Sequence, residues 1–250
     1  MKHKEKIIAL IPARYGASRF PGKMMALLRG VPVIRRTYDA VVATGLFDEV
    51  VVVTDSREIG DEIAAHGGKI FMSRKTHETG SDRIAEAAEN TDADIIVNIQ
   101  GDEPFTKREP LDALLALFDA PDAAQIDLAS LMQVMHDERQ INDPNYVKVA
   151  VDLNHFALMF SRSPVPYHRE KSIAPTYYEH IGIYAFRKQS LLDFAATPMT
   201  PLESIEKIEC LRYLETGKKI KMAVTGYMGI EIDTPEDLKN AEALLDEINN

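Results

Sequence analysis

In the first hundred residues, four short apolar runs alternate with three amphipathic stretches, and this alternation restricts the fold more than any other feature. The runs occupy 6–11, 49–54, 69–72 and 94–100. VVVV and IIVNI lack a period of two, as expected of strands buried on both faces of a parallel sheet. Between the runs, Pro32 stands at a first helical position ahead of apolar Ile34, Val41, Val42 and Leu46. Ser56 can cap a helix with Ile59, Ile63 and Ala64 on one face. A third helix is expected to start near Ser81 and to bury Ile84, Ala87 and Ala88. Strands separated by helices build β-α-β units. The expected fold is therefore α/β, with a doubly wound, mostly parallel (mixed) sheet.

The second half changes character. Apolar runs at 146–151 and 156–160, separated by Asp-Leu-Asn-His, predict an antiparallel hairpin. Pro164, Pro166 and Pro175 punctuate a long connection to a strand at 180–186. A helix around 202–215, a strand at 219–224 and a last helix follow. Thr234-Pro235-Glu236-Asp237 starts that helix with a cap, a proline at the first position and acids at the positive dipole end. No linker composition separates the halves. The expectation is one domain over 1–250, with an antiparallel segment inserted around 145–187.

Composition narrows the function. A net charge of −10 disfavours nucleic acid as the main partner, because phosphate neutralisation needs a basic face. One cysteine, Cys210, permits no intrachain disulfide. The apolar run at the start is too short for a signal-peptide core, and no later run is long enough to span a bilayer, so a cytoplasmic location is expected.

Five motifs carry candidate chemistry. IPARYGASRFPGK, at 11–23, places small residues with Arg14, Arg19 and Lys23 directly after the first apolar run. Such a loop can deliver backbone N–H groups and cations to a polyanion, or be a solvated connection with incidental charges. Its glycine spacing fits neither a Walker loop nor the dinucleotide turn. NIQGDEP, at 98–104, brings Asp102 to the carboxyl end of a strand, where ligands bind in open α/β sheets. Asp102 can hold a hard cation such as Mg²⁺, or satisfy backbone donors in a turn. IEIDTPEDL, at 230–238, offers Asp233 as a second carboxylate or as a partner of the helix terminus. HETGSDR, at 77–83, can read a base or ribose, or cap a helix at Ser81 or Asp82. In EHIGIYAF and IEKIECLRYLE, the polar His180, Tyr184, Glu209 and Arg212 sit among apolar neighbours; Ile205, Ile208, Leu211 and Leu214 form a helical stripe.

Taken together and in order, these segments, with DPNYVKVAV and FSRSPVP, resemble the 3-deoxy-manno-octulosonate (Kdo) cytidylyltransferases from residue 7 to about 245. HIGIYAFR and the helix after it are the stretches most particular to that family. The resemblance implies a nucleotidyltransferase that joins CTP and Kdo to give CMP-Kdo and pyrophosphate with Mg²⁺, for lipopolysaccharide synthesis. It implies that Arg14 and Lys23 neutralise the CTP phosphates, with Ala13, Ser18 and Arg19 in the same loop. It puts Arg74, Thr79, Ser81 and Asp82 near the cytidine, Asp102 and Asp233 on Mg²⁺, and Gln100, His180, Tyr184 and Glu209 around Kdo. It also implies a homodimer. Two departures stand out: Cys210 replaces an amide expected near the sugar, and Gly-Ile-Glu-Ile precedes Asp233 where the family is glycine-rich with Val beside the Asp. A lost amide bears on specificity, which keeps 8-amino-Kdo or another 2-keto sugar acid as alternative substrates. A nucleotide-binding regulatory module is the non-enzymatic alternative.

Overall fold

The structure is a computed structural model, and it describes residues 5–16, 20–75, 77, 79–226 and 230–248. The described residues fall into two compact units, one drawn from within 1–108 and 228–250 and the other from within 109–227.

The first unit starts with β1 (Ile7–Ala13), followed by a short ribbon of β2 (Leu27–Leu28) and β3 (Val31–Pro32). Then α1 (Val33–Ala43), β4 (Glu49–Thr54), α2 (Arg57–Ala65), β5 (Lys69–Met72), α3 (Gly80–Glu89) and β6 (Ile95–Asn98) alternate. β1 lies between β6 and β4, with β5 outside β4, and every one of these pairings is parallel. The buried side chains of β1 alternate with nothing, which is what two covered faces require.

Ser56 caps α2 as expected: its Oγ accepts from Ile59 N at 3.4 Å. The face it buries holds Ile59, Gly60 and Ile63, and Ala64 is exposed. Along α1, Ile34, Thr37 and Val41 are buried, but Val42 is exposed and Leu46 lies beyond the helix end. Period 3.6 explains this, since Val42 sits about 100° round from Val41. The cap of α3 is Thr79, two residues ahead of the Ser81 expected, and its Oγ1 accepts from Asp82 N at 3.1 Å. Ile84, Ala87 and Ala88 are buried as expected.

The second unit opens with α4 (Arg108–Ala116), which carries the chain across the boundary. It contains β7 (Leu128–Met135), α5 (Glu138–Asn142), β8 (Lys148–Val151), β9 (Ala157–Ser161), β10 (Tyr177–Arg187), α6 (Lys188–Ala196), α7 (Pro201–Glu206), α8 (Cys210–Glu215) and β11 (Ile220–Val224). β11 is parallel to β7, β10 is antiparallel to it, and the expected hairpin of β8 and β9 extends antiparallel from β10. The hairpin turn is built by Asp152, whose Oδ1 accepts from the backbone N of Asn154 and Phe156 at 2.8 Å each.

Two corrections concern this unit. The sequence reading places no strand between 100 and 146, yet β7 is the strand on which β10 and β11 pair. The helix expected around 202–215 is two helices, broken at Lys207, whose φ of 54° is left-handed. Arg162 supplies the physical reason. Its Nε donates to Glu206 O at 2.7 Å, and its backbone N and Ser161 Oγ donate to the Glu206 carboxylate at 2.9 Å each. The break takes Ile205 out of the apolar stripe (it is 77% exposed), while Ile208 and Leu211 stay buried. Across it, Arg212 Nε and Nη2 donate to the two oxygens of buried Glu203 at 2.7 and 2.6 Å, a bidentate pair holding α7 to α8. The chain then returns to the first unit for α9 (Pro235–Ile248).

Candidate active site

Three motifs of the first unit meet. Past β1, Gly22 N donates to Tyr15 O at 3.1 Å and Lys23 N to Phe20 O at 3.1 Å. Gly22 has a φ of 73°, a left-handed turn that brings the chain round to Lys23. From past β6 comes Asp102, behind Gly101. A Cβ on Gly101 would lie 3.0 Å from both Ile34 Cδ1 and Pro12 O and 3.1 Å from Met24 Sδ, so a side chain here enters only if its neighbours shift by a few tenths of an ångström. Thr37 Oγ1 donates to Gly101 O at 2.8 Å and fixes the turn. The third strand of chain is 230–233, where Ile232 N donates to Asp102 O at 3.0 Å and the Ile232 side chain is fully buried.

Lys23 Nζ hydrogen-bonds Asp102, and it donates to Asp233 Oδ1 at 2.7 Å. Burial by itself lowers the Lys23 pKa, but the charge of Asp102 and the hydrogen bonds to both aspartates raise it overall. The start of α9 is served by other groups: Asp237 Oδ2 accepts from Asp233 N, Thr234 N and Thr234 Oγ1 at 3.1, 2.8 and 2.8 Å. Asp237 N in turn donates to Thr234 Oγ1 at 3.2 Å. Glu231 joins Asp102 and Asp233, and one carboxylate oxygen of each lies within 4.8 Å of the others. Next to them, burial pushes Glu103 up to about 8, helped by the charges of Asp102 and Glu231. Hard carboxylate oxygens at this separation are the donor set Mg²⁺ takes, and the Lys23 ammonium resting on two of them shows that they accommodate positive charge.

Ala13 is buried at the end of β1 and Arg14 is exposed directly after it. Ser18 and Arg19 lie outside the described residues. In the 73–82 region, Thr79 Oγ1 donates to Asp82 Oδ2 at 2.9 Å, Ser81 is buried and the Arg74 side chain is exposed. Sequence reasoning missed the residue that organises this loop. Glu86, buried on α3, accepts from Arg74 N at 3.1 Å, Ser73 Oγ at 2.5 Å and His77 Nε2 at 2.8 Å. Burial opposes its ionisation, but these hydrogen bonds win and hold its pKa at about 2. An acid among the alanines of a buried helix stripe, IAEAAE, was the available signal. Glu231 was likewise missed, although acids alternate with isoleucines in IEID.

Gln100 belongs to the first unit, half-buried just past β6. The other proposed sugar residues are grouped in the second. On β10, the rings of His180 and Tyr184 have centroids 5.5 Å apart, and Phe160 of β9 meets His180 edge-on at 5.0 Å. His180 Nε2 is 3.1 Å from Ser130 Oγ of β7. Burial pushes His180 down to about 4. Glu209 is the N-cap residue of α8, and Cys210 follows it, with its Sγ 3.9 Å from His180 Nε2. Burial raises the Cys210 thiol to about 12, against a hydrogen bond from Tyr184.

Residues 8–220 match the family model described as cytidylyltransferase. The 3-deoxy-manno-octulosonate cytidylyltransferase of Flavobacterium johnsoniae is 59% identical over 243 residues, covering 97% of this chain and 100% of that one. Its counterpart in Christiangramia forsetii is 58% identical over 242 residues, covering 97% and 98%. A solved structure described as CMP:2-keto-3-deoxy-manno-octonic acid synthetase complexed with CTP matches with a TM-score of 0.91 at 35% identity, covering 97% of this chain and 99% of that one. The fold, the convergence of Lys23, Asp102 and Asp233, and these matches agree: the chain belongs to the 3-deoxy-manno-octulosonate cytidylyltransferase family.

Proposed function

We infer that this chain transfers CMP from CTP to Kdo, releasing pyrophosphate, and thereby serves lipopolysaccharide synthesis. The observation that carries the reading is the junction of Lys23, Asp102 and Asp233 in a chain 59% identical to a named Kdo cytidylyltransferase. The sugar's anomeric hydroxyl attacks the α-phosphorus of CTP and pyrophosphate leaves. Both reactants are anions, so the chain's main work is to bring them together against repulsion. Arg14 and Lys23 offset the triphosphate charge, and Ala13, Ser18 and Arg19 complete that loop. Arg74, Thr79, Ser81 and Asp82 receive the cytidine, on a loop that Glu86 holds to α3. Gln100, His180, Tyr184 and Glu209 receive the sugar acid. His180 does so as a neutral hydrogen-bonding group, because burial keeps it unprotonated at physiological pH.

Asp102 and Asp233 are the residues that hold Mg²⁺. When bound there, Mg²⁺ supplies a Lewis acid for a phosphate oxygen and a template for the two substrates. Lys23 keeps both aspartates oriented. The chain contributes no covalent nucleophile, in keeping with a Cys210 thiol whose pKa is near 12.

A homodimer in the cytoplasm is part of the same proposal. Leu153, Leu158, Tyr167 and Ile173 support the dimer: they are large apolar side chains, 101, 64, 85 and 67% exposed, all within the 145–187 segment. Among the described residues, no helix is long and apolar enough to cross a membrane.

The test is pyrophosphate release with CTP and Mg²⁺, offering Kdo, 8-amino-Kdo and N-acetylneuraminate in parallel. Turnover is expected with Kdo first, and Asp102→Asn is expected to abolish it while leaving the fold intact. Preference for the amino sugar would move the specificity to the pocket around Cys210. Silence with all three sugars would overturn the enzymatic reading in favour of a nucleotide-binding module.

A further inference from the structure

We propose that Glu231 is a third carboxylate ligand of the divalent cation held by Asp102 and Asp233, a role that rests on the metal reading above. The backbone sets the geometry. Ile232 is fixed from both sides, by its N–H on Asp102 O at 3.0 Å and by its side chain in the core formed with Leu28, Val33, Phe105 and Ala241. With Ile232 turned inward, the residues on either side of it bring their carboxylates to Asp102, all three within 4.8 Å. Glu231 is exposed, Asp233 half-buried and Asp102 buried, so the three form a graded descent from solvent into the site.

Charge gives a second, independent reason. Lys23 donates to both Asp102 and Asp233, so these two carboxylates and one ammonium carry a formal charge of −1 together. That is half of what a divalent cation requires for neutrality. Glu231 makes the group −2 without removing Lys23. Affinity at oxygen-ligand sites follows the number of charged ligands, so the third carboxylate sets how tightly the cation is held before any phosphate arrives. Where Gly-Ile-Glu-Ile stands in place of a glycine-rich segment, this chain has an acid whose effect is on cation binding in the absence of nucleotide.

The experiment is a titration of the full chain with Mn²⁺ alone, without CTP or sugar, reading free Mn²⁺ by electron paramagnetic resonance. Glu231→Gln is expected to weaken binding by roughly tenfold, with Glu231→Asp recovering part of it, since Asp keeps the carboxylate that Gln lacks. Circular dichroism of each variant checks the fold, and Glu231→Ala serves if the glutamine variant is poorly folded. Asp102→Asn is measured alongside. Loss of Mn²⁺ affinity in Asp102→Asn with unchanged affinity in Glu231→Gln would overturn the role of Glu231 and leave the metal reading standing. Unchanged affinity in both would overturn the metal reading itself, and Glu231 with it.

Discussion

His180 shows how far a single side chain can be moved from its behaviour in water. Phe160 and Tyr184 flank its ring, Ser130 Oγ meets its Nε2, and burial lowers its pKa to about 4 from an ordinary 6.5. The unfolded chain takes up a proton there below pH 6.5 and the folded chain does not. The stability tied to this group is therefore full above 6.5 and falls as the pH drops from 6.5 towards 4. The expected outcome is a His180 ring resonance that titrates near 4 in NMR, with no limb near 6.5 from this residue in the pH dependence of kcat/KM. A midpoint near 6.5 would mean that the ring is solvated. At this scale the sequence was partly legible. Asp102, Asp233 and Lys23 were named from it, and they meet, because Lys23 and Asp102 lie in the segments that follow β1 and β6 and Asp233 lies just ahead of the well-marked start of α9. Glu86 and Glu231 were not named. The place of Glu86 among the alanines of a buried stripe marks it as more than a solvated acid, but nothing local says which donors, such as Arg74 N 12 residues away in the chain, it gathers.

α3 and the loop before it act as one element because of Glu86. Three donors converge on its carboxylate, from Ser73, Arg74 and His77. Its folded pKa of about 2 is below the ordinary 4.5, so this contribution is present in full above pH 4.5 and is lost as the pH falls through about 2. Glu86→Gln is expected to cost about 2 kcal/mol at pH 7, the loss of charge-assisted hydrogen bonds, and to flatten the dependence of Tm on pH below 4.5. Thermal unfolding of both proteins from pH 7 to 3 measures this. The same variant should raise the KM for CTP, if the loop receives the cytidine. Among elements, legibility followed locality. Strands β4 and β5 match their expected spans, and the α2 cap was read from Ser56 alone. The break at Lys207 was illegible because Arg162, about 44 residues earlier in the chain, causes it.

At the scale of the whole molecule, the regularity of β-α-β units made the parallel strands β1, β4, β5 and β6 of the first unit readable, because amphipathic helices separate them, while the short ribbon of β2 and β3 carried no such signal. The second unit mixes parallel and antiparallel pairings, and β7, Leu-Ala-Ser-Leu-Met-Gln-Val-Met, has neither alternation nor flanking turn signals strong enough to mark it as a strand. The net charge of −10 sits over an active site whose proposed substrates are anions, so local cation placement rather than overall charge decides recognition. The exposed apolar side chains of the second unit lead to one expectation for the assembly. Sedimentation velocity should give a dimer, and Ile173→Asp with Leu158→Asp should shift it to a monomer; a monomeric unaltered protein would remove the dimer from the proposal.

The buried thiol of Cys210 has a practical consequence for all of these measurements. It is the chain's one cysteine, and at a pKa near 12 it holds its proton at any working pH, shielded by the aromatic cluster of β10. Maleimide and iodoacetamide reagents attack thiolates, so the natural chain is already a silent background for them. A cysteine introduced at an exposed position on either unit would take a fluorophore or spin label site-specifically, with no native residue to be sacrificed first.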